Sequence, residues 1–520
     1  MSVFFVSGCS SLQPGSALIS VTVVTAEGSQ TVEVSAGSTA REVLEGAGLI
    51  IDSLDRSDPP LYSVLQDGDT VHFVRVEEEY LVEQTVIAYD TQVLRNESLS
   101  EGERRLIQPG QNGLQENTYR ILIEDGDEVS RTLSSTVVVT PAVAEIIMEG
   151  SQAPFTALPI PGILAYISAG NAWIIRENTG LRQPVVTTGD LDGRIFSISP
   201  DGRWLLYTRS GDGEEKINSL WVAQIEVENG KQFDLGVENI IHFADWIPGS
   251  QTGIGYSTTE IIPGPPGWEA NNDLYFLNFS QESGWTSSPR EALSQNLGGL
   301  YGWWGTEFLY SPEGQNMAYS RPDGFGLLNP ETGAMQELVR ALPVQTRSDW
   351  AWIPPIAWAP GSEFIYFVNH VPQEGVAVDE ESQVFDLAVY PFVGGAPVSI
   401  IQDVGMFAYP LPSPQKVLEN GERVFRVAFL QALEPRQSRT SSYQLMVMDQ
   451  DGSNLRRLFP VGEGQGLSPH QYYWLPQYAV ESSPMYLALI YQGDLWLVDT
   501  ESGEAQQLTG DGLVTAIDWN

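Results

Sequence analysis

The chain has 520 residues, 42% of them hydrophobic, and carries 26 Lys plus Arg against 67 Asp plus Glu for a formal charge of -41. That length and apolar content suffice for several buried cores, about two to four domains. The charge repels phosphate backbones and anionic headgroups, which excludes nucleic acid as a partner; only three of the basic residues are lysines, Lys216, Lys231 and Lys416, and no basic cluster offsets the balance locally.

The one cysteine, Cys9, stands in "VFFVSGCSSL" and has no second thiol with which to form an internal disulfide. Val6-Ser7-Gly8-Cys9 resembles a bacterial lipobox, and "SSLQPGSA" after it has the composition of a flexible tether. The resemblance implies lipidation of Cys9 and an extracytoplasmic protein held at the membrane only through that lipid; a chance cysteine is the other reading. Val3 to Val6 is shorter than a signal h-region and no Lys or Arg precedes it, so residues 1–17 are expected to be a truncated signal and tether. No other stretch approaches membrane-spanning length.

Residues 18–76 read strand, strand, helix, strand. "ISVTVVTAEG" and "QTVEVSAGS" are β-rich runs broken by a Gly-containing turn, "STAREVLEGAG" is a short capped amphipathic helix, and "DGDTVHFVRV" returns to strand. This order is a β-grasp pattern. It resembles the small ubiquitin-like domain that precedes a five-glycine domain in resuscitation-promoting factors and related wall proteins.

The following segment, 77–150, resembles the five-glycine (G5) domain itself, with Gly102, Gly110, Gly113, Gly126 and Gly150 at the positions where that family keeps glycines. The residues agree physically: strands with polar faces, no large apolar cluster, and glycines expected at turns that need positive φ. The resemblance implies a thin, extended β-module that serves as a wall-facing spacer. Binding of N-acetylglucosamine-containing polymers is the functional alternative, although neither an aromatic platform nor a charged pocket is visible in the segment.

A Pro-rich linker, 151–162, leads into a region that repeats itself. A turn followed by an apolar strand recurs in "SPDGRWLLYTRS", "IPGSQTGIGYST", "SPEGQNMAYSRP" and "APGSEFIYFVNH"; "LPSPQKVLENGERVFRVAFLQ" and "LPQYAVESSPMYLALIYQ" are divergent copies. Hairpins such as "SLWVAQIEVENGKQFDL", "FGLLNPETGAMQELV" and "GDLWLVDTESGEAQQLT" complete each repeat. Four short strands per repeat predict a β-propeller over 163–520, and the "SPDG" turn resembles TolB-like propellers. Inner strands near Phe196, Phe243, Phe308, Ala357, Phe407, Tyr473 and Ala516 give seven blades, with six or eight as alternatives. The first blade has three strands of its own, and the orphan "VTAIDWN" at the end of the chain is expected to close it.

Motifs that carry chemistry are scarce. His72, His242, His370 and His470 show no metal-ligand spacing, so neither metal nor cofactor is expected. No G-x-S-x-G elbow is present. "DLDG" at Asp190 and "DQDGSN" at Asp449 lack the remaining ligands of a calcium loop and read as hairpin turns.

One pattern stands out. Long insertions fall between the second and third strands of blades, in "GDGEEKIN", "TTEIIPGPPGWEANN", "VPQEGVAVDEESQ" and "ALEPRQSRTSS", and aromatic residues fill the inter-blade connections, in "LGGLYGWWGTE", "RSDWAWIPP" and "HQYYWLP". Both classes of segment open on the same face of a propeller, where long loops on a rigid scaffold carry binding. Trp303, Trp304, Trp350, Trp352 and Tyr473 are the candidate stacking platforms; packing between blades is the competing role. The sequence therefore predicts a mainly β, non-enzymatic envelope protein, a monomer, whose propeller binds an envelope protein or a cell-wall glycan. A glycan-acting enzyme and a purely structural scaffold are the alternatives.

Overall fold

The structure, a computed structural model, describes residues 17–96, 99, 102–150, 155–225, 230–392, 395–418, 420–461, 465–470, 472–480 and 484–520; Cys9 lies outside the described residues. The chain forms two compact units, residues 1–94 with 105–148 and residues 95–104 with 149–520.

In the first unit Leu18–Thr25 pairs antiparallel with Gly28–Ser35 and parallel with Thr70–Val74, whose far side takes the short strand Arg56–Asp58. Alternation along these strands turns Val21, Val23, Val71 and Phe73 inward, where they meet Val43 and Leu44 of the helix Ala40–Gly46. A helix of seven residues is too short to persist alone. It is held by a capping box in which Thr39 Oγ1 accepts from the Glu42 N–H at 3.4 Å and the Glu42 carboxylate accepts from the Thr39 N–H at 2.9 Å. The expected β-grasp is present. The strand in "DRSDPP" went unread because three residues are too few to display a period.

Val76–Ile87, Gly113–Glu124 and Asp127–Thr140 form a long three-stranded antiparallel sheet. Its outer strand Asp127–Thr140 is exposed along almost its whole length, Leu133 and Val137 included. The five glycines do not share one reason. Gly102 and Gly126 take left-handed conformations, φ 80° and 94°, as turn positions require. Gly110 and Gly113 do not, which corrects the expectation that all five serve turns: a Cβ on Gly110 would lie 2.3 Å from the Tyr89 ring, and one on Gly113 2.5 Å from the Thr140 carbonyl. Gly150 is held by its backbone, donating to the Glu103 carbonyl at 2.7 Å and accepting from the Gly102 N–H at 3.1 Å.

Among the described residues the second unit contains seven four-stranded antiparallel sheets. They are the blades of a propeller, with inner strands Leu191–Ile198, Ala244–Trp246, Glu307–Tyr310, Ile356–Trp358, Leu411–Pro412 and Tyr473–Trp474 in blades 2 to 7. Blade 1 is closed by the last strand, Val514–Trp519, which pairs with Pro159–Ser168 from Leu164↔Trp519 to Ser168↔Val514. That first strand begins inside the expected linker, and its Ile160 is already buried. In blade 6 the inner strand starts after Phe407, since the chain reaches it through Tyr409 at a positive φ of 38°.

A tryptophan ends the inner strand in every odd blade: Trp519, Trp246, Trp358 and Trp474. In blades 3, 5 and 7 its indole N–H donates to a carbonyl of the preceding blade's inner strand, at Ser197 (3.1 Å), Leu309 (3.3 Å) and Leu411 (2.8 Å). The even blades place Ile198, Tyr310 and Pro412 there and follow it with a serine that folds back on its own blade. Ser199, Ser311 and Ser413 accept from the N–H groups of Trp204, Asn316 and Arg426 at 2.9, 3.0 and 3.0 Å. Flat indoles fill the wedge between blades while their one polar atom is satisfied across it.

Candidate ligand-binding face

The long second-to-third-strand loops are tied to inter-blade connections by hydrogen bonds, so both belong to one face. Ile217 N–H donates to Asn239 Oδ1 (2.9 Å), Ala270 N–H to the Trp303 carbonyl (2.9 Å), Gln345 N–H to the Glu380 carbonyl (2.8 Å) and Met406 N–H to Ser438 Oγ (3.2 Å).

The densest aromatic group lies at blades 3 and 4. The insertion of blade 3 folds into its own hairpin, Thr259–Ile261 with Trp268–Ala270, and carries Trp268 onto Trp304 with ring centroids 4.9 Å apart. His242 meets both rings edge-on, at 5.2 and 5.8 Å, and Trp303 packs against Trp304 at 5.8 Å. Asn272 anchors the turn beneath them. It is almost fully buried, donates to the Gly302 carbonyl at 2.8 Å and accepts from Thr306 Oγ1 at 2.6 Å. Trp303 and Trp304 are half-buried, and Leu297 (91% exposed) and Leu300 (53% exposed) extend the apolar surface outward from the same connection.

Burial pulls the His242 imidazole down to about 4, against a hydrogen bond with the Trp304 backbone, so the ring is neutral at physiological pH. Its Nε2 is buried without a hydrogen-bond partner. The adjacent residue is glycine for want of room: a Cβ on Gly305 would lie 2.2 Å from His242 Cδ2.

The other expected platforms do not join this group. Trp352 is 2% exposed, sits in the core between blades 5 and 6 and donates its indole N–H to the Met406 carbonyl at 2.9 Å, so it is core and not a platform. Trp350 is half-buried against the same core, with the Arg439 guanidinium 5.2 Å over its ring. Tyr473 belongs to the channel. Aligned by their strand ends, Tyr473, Asp518, Ser197 and Asp245 occupy one layer of the inner strands of blades 7, 1, 2 and 3, while Leu309, Ala357 and Leu411 complete it on blades 4 to 6.

In that polar arc Ser197 Oγ donates to Asp245 at 3.0 Å and the Ile198 N–H to Asp518 at 2.6 Å. Desolvation raises both carboxyls, that of Asp518 to about 7 with the charge of Asp245 adding to it. The Tyr473 hydroxyl is pushed up by burial first and by these two carboxylates second.

Asp190 stands in the connection before the strand Leu191–Ile198, paired with Arg209 at 2.9 Å, so "DLDG" opens an inner strand and is not the expected hairpin turn; Asp449 ends the strand Tyr443–Asp449 and accepts from Asn454 across the turn that follows, at 2.6 Å. Among the described residues no group of three or more His, Cys, Asp or Glu is arranged to hold a metal ion, and no helix is long and apolar enough to cross a membrane. Sequence reading missed Trp268 and His242. The signal available was a tryptophan placed inside the longest insertion.

Residues 78–152 match the G5 domain family model. A resuscitation-promoting factor, RpfB of Mycolicibacterium smegmatis, is 25% identical over 155 residues, 29% of this chain and 42% of that protein, so the chain spans less than half of the relative's length. The solved G5 domain of an IgA1 protease is 26% identical, covers 15% of this chain and 94% of its own, and has a TM-score of 0.13. Over the propeller, a structure described as a TolB of Agrobacterium tumefaciens is 16% identical, with 60% of this chain and 92% of that one covered and a TM-score of 0.32. The periplasmic gluconolactonase PpgL of Pseudomonas aeruginosa is 11% identical over 70% of this chain and 99% of its own, with a TM-score of 0.40. The chain thus joins a G5 domain to a seven-bladed β-propeller.

Proposed function

We propose that this is a non-enzymatic, wall-associated protein of the cell envelope, tethered to the membrane through a lipid on Cys9, whose β-grasp and G5 modules act as spacer and whose propeller binds an envelope protein or a wall glycan. Wall association draws on the G5 match and on the RpfB relative. The binding role draws on one observation: Trp268 is brought from the longest insertion onto Trp304, leaving half-buried Trp303 and exposed Leu297 and Leu300 as an apolar apex. Aromatic faces stack on sugar rings and on apolar peptide side chains, and they dominate protein contacts. The charge of -41 favours neutral or cationic ligands over anionic wall polymers.

Binding of wall glycans and of envelope proteins to the full chain, measured by calorimetry with the wild type and Trp303→Ala, tests the site. Loss of affinity with unchanged thermal stability supports it, and an unaffected variant sinks it. The tether is tested by expression behind a complete signal sequence, where the protein enters the detergent phase and Cys9→Ser releases it.

A glycan-acting enzyme is the second reading, favoured by the raised carboxyls of Asp518 and Asp245. It requires turnover of a wall glycan that Asp518→Asn abolishes.

A further inference from the structure

The connection between the first and second strands of blade 6 is expanded into a hairpin, Lys416–Val417 with Arg423–Val424. It lies at the opposite end of the blades from the aromatic face, since first-to-second-strand and third-to-fourth-strand turns share that end. With the turn after Tyr443–Asp449 and the neighbouring parts of blade 7, the hairpin encloses a cavity of about 450 Å³, within the range of about 300–1,000 Å³ typical of small-ligand sites. What reads in the sequence as divergence from the repeat is the wall of a pocket.

The walls are fixed before any ligand arrives. Gln477 of blade 7 clamps the base of the hairpin from both sides, accepting from the Gln415 N–H at 2.9 Å and donating to the Gln415 carbonyl at 3.0 Å. Tyr366 Oη donates to the Gln450 carbonyl at 2.9 Å and pins the turn of blade 6. Thr500 Oγ1 holds the Met485 carbonyl at 2.7 Å in blade 7.

The lining is of two charges around an apolar floor. Phe425 and Met485, both 8% exposed, and Leu418 supply the floor. Lys416 and Arg426 supply positive charge in a chain that has little of it. Arg426 stands directly opposite Asp449 on the neighbouring strand, yet the Asp449 carboxylate is bound by Asn454 within its own turn. Among the described residues no group pairs with the side chains of Arg426 or Lys416. Asp451 and Glu501 line the same pocket; the Ser453 hydroxyl and N–H hold Asp451 below the usual carboxylate range and keep it ionised.

A purely anionic ligand would meet Asp451 and Glu501, and a purely cationic one would meet Arg426. A molecule with both charges and an apolar body satisfies all of them. We infer that this pocket binds a short peptide with free ends, its terminal carboxylate on Arg426 and Lys416, its amine toward Asp451 and Glu501, and an apolar side chain on Phe425 and Met485. Guanidinium groups left unpaired at a pocket wall are suited to carboxylates through their fixed fork of donors.

The test is calorimetric titration of the full chain with the tripeptide Leu-Phe-Leu, its C-terminally amidated form and its N-acetylated form. The free tripeptide binds, and either modification weakens it about tenfold, the scale of one charge-assisted pairing. Arg426→Gln weakens the free peptide to the level of the amidated one and leaves the amidated one unchanged; Leu418→Asp, on the exposed hairpin, weakens all three. Trp303→Ala, on the other face, changes none of them, so this site and the aromatic one stand or fall separately. Absence of binding by the wild type, equal binding of the free and amidated forms, or an Arg426→Gln protein of wild-type affinity would overturn the assignment.

Discussion

Asp518, on the last strand of the chain, accepts a hydrogen bond from the backbone N–H of Ile198 at 2.6 Å across 320 residues of sequence, and so joins blade 1 to blade 2 through a carboxyl that titrates near 7. The folded value lies above the ordinary 3.8, so the folded state holds this proton more tightly than the unfolded chain does. Its contribution to stability is complete below about 4 and is lost as pH rises through about 7. Thermal unfolding of the wild type and of Asp518→Asn, which keeps an acceptor but cannot ionise, is compared from pH 4 to 8, and the wild type is expected to lose stability relative to the variant as pH rises. An unchanged slope in the variant would assign the effect to other groups.

His242 works in the opposite direction. Its folded value of about 4 lies below the ordinary 6.5, so stability is complete above about 6.5 and lost as pH falls toward 4. His242→Phe loses the hydrogen bond with the Trp304 backbone, and is expected to cost about 1–2 kcal/mol at neutral pH while abolishing this acid-side loss. Melting curves at pH 4.5 and 7.5 decide it.

Trp303 and Trp352 belong to one notion of an aromatic face but not to one role. Trp352→Ala empties a core position and is expected to destabilise the propeller by about 3–5 kcal/mol. Trp303→Ala leaves the melting temperature within the range of surface substitutions and weakens ligand binding several-fold, on the order of 1 kcal/mol. Denaturant titration beside calorimetric binding separates the two.

Removal of Val514–Trp519 and Asn520 strips the edge of the strand Pro159–Ser168, together with the paired backbone bonds between Ile163 and Asn520 at 2.6 and 3.0 Å. The truncated chain is expected to lose the cooperative unfolding transition of the propeller. A milder probe of the same ring is Trp246→Phe, which removes the indole donor to the Ser197 carbonyl and costs about 1 kcal/mol.

Gly113→Ala places a Cβ against the backbone of Thr140 and Ala142 and is expected to destabilise the G5 sheet by about 1–3 kcal/mol through overpacking. Gly126→Ala, with open space around it and a left-handed φ, costs about 1 kcal/mol. Hydrogen exchange along Gly113–Glu124 in the full chain reads both, and equal effects would remove the distinction between room and turn.

The β-grasp and the propeller were legible because their signals are local and periodic. Alternation in "ISVTVV", a capping box spanning Thr39 to Glu42, and a turn recurring before each apolar strand are written in adjacent residues. Closure was legible too, since a blade one strand short and a strand left over admit one pairing. The roles of individual side chains were not. Trp303 and Trp352 stand in similar aromatic runs, and only the packing of neighbouring blades makes one a half-buried surface and the other core. The same holds for Asp245 and Asp518, which lie far apart in sequence and flank Ser197 and Ile198 only once the ring has closed. Local periodicity fixes which faces are buried; contacts between distant blades depend on how those faces meet, and no short stretch of sequence encodes that.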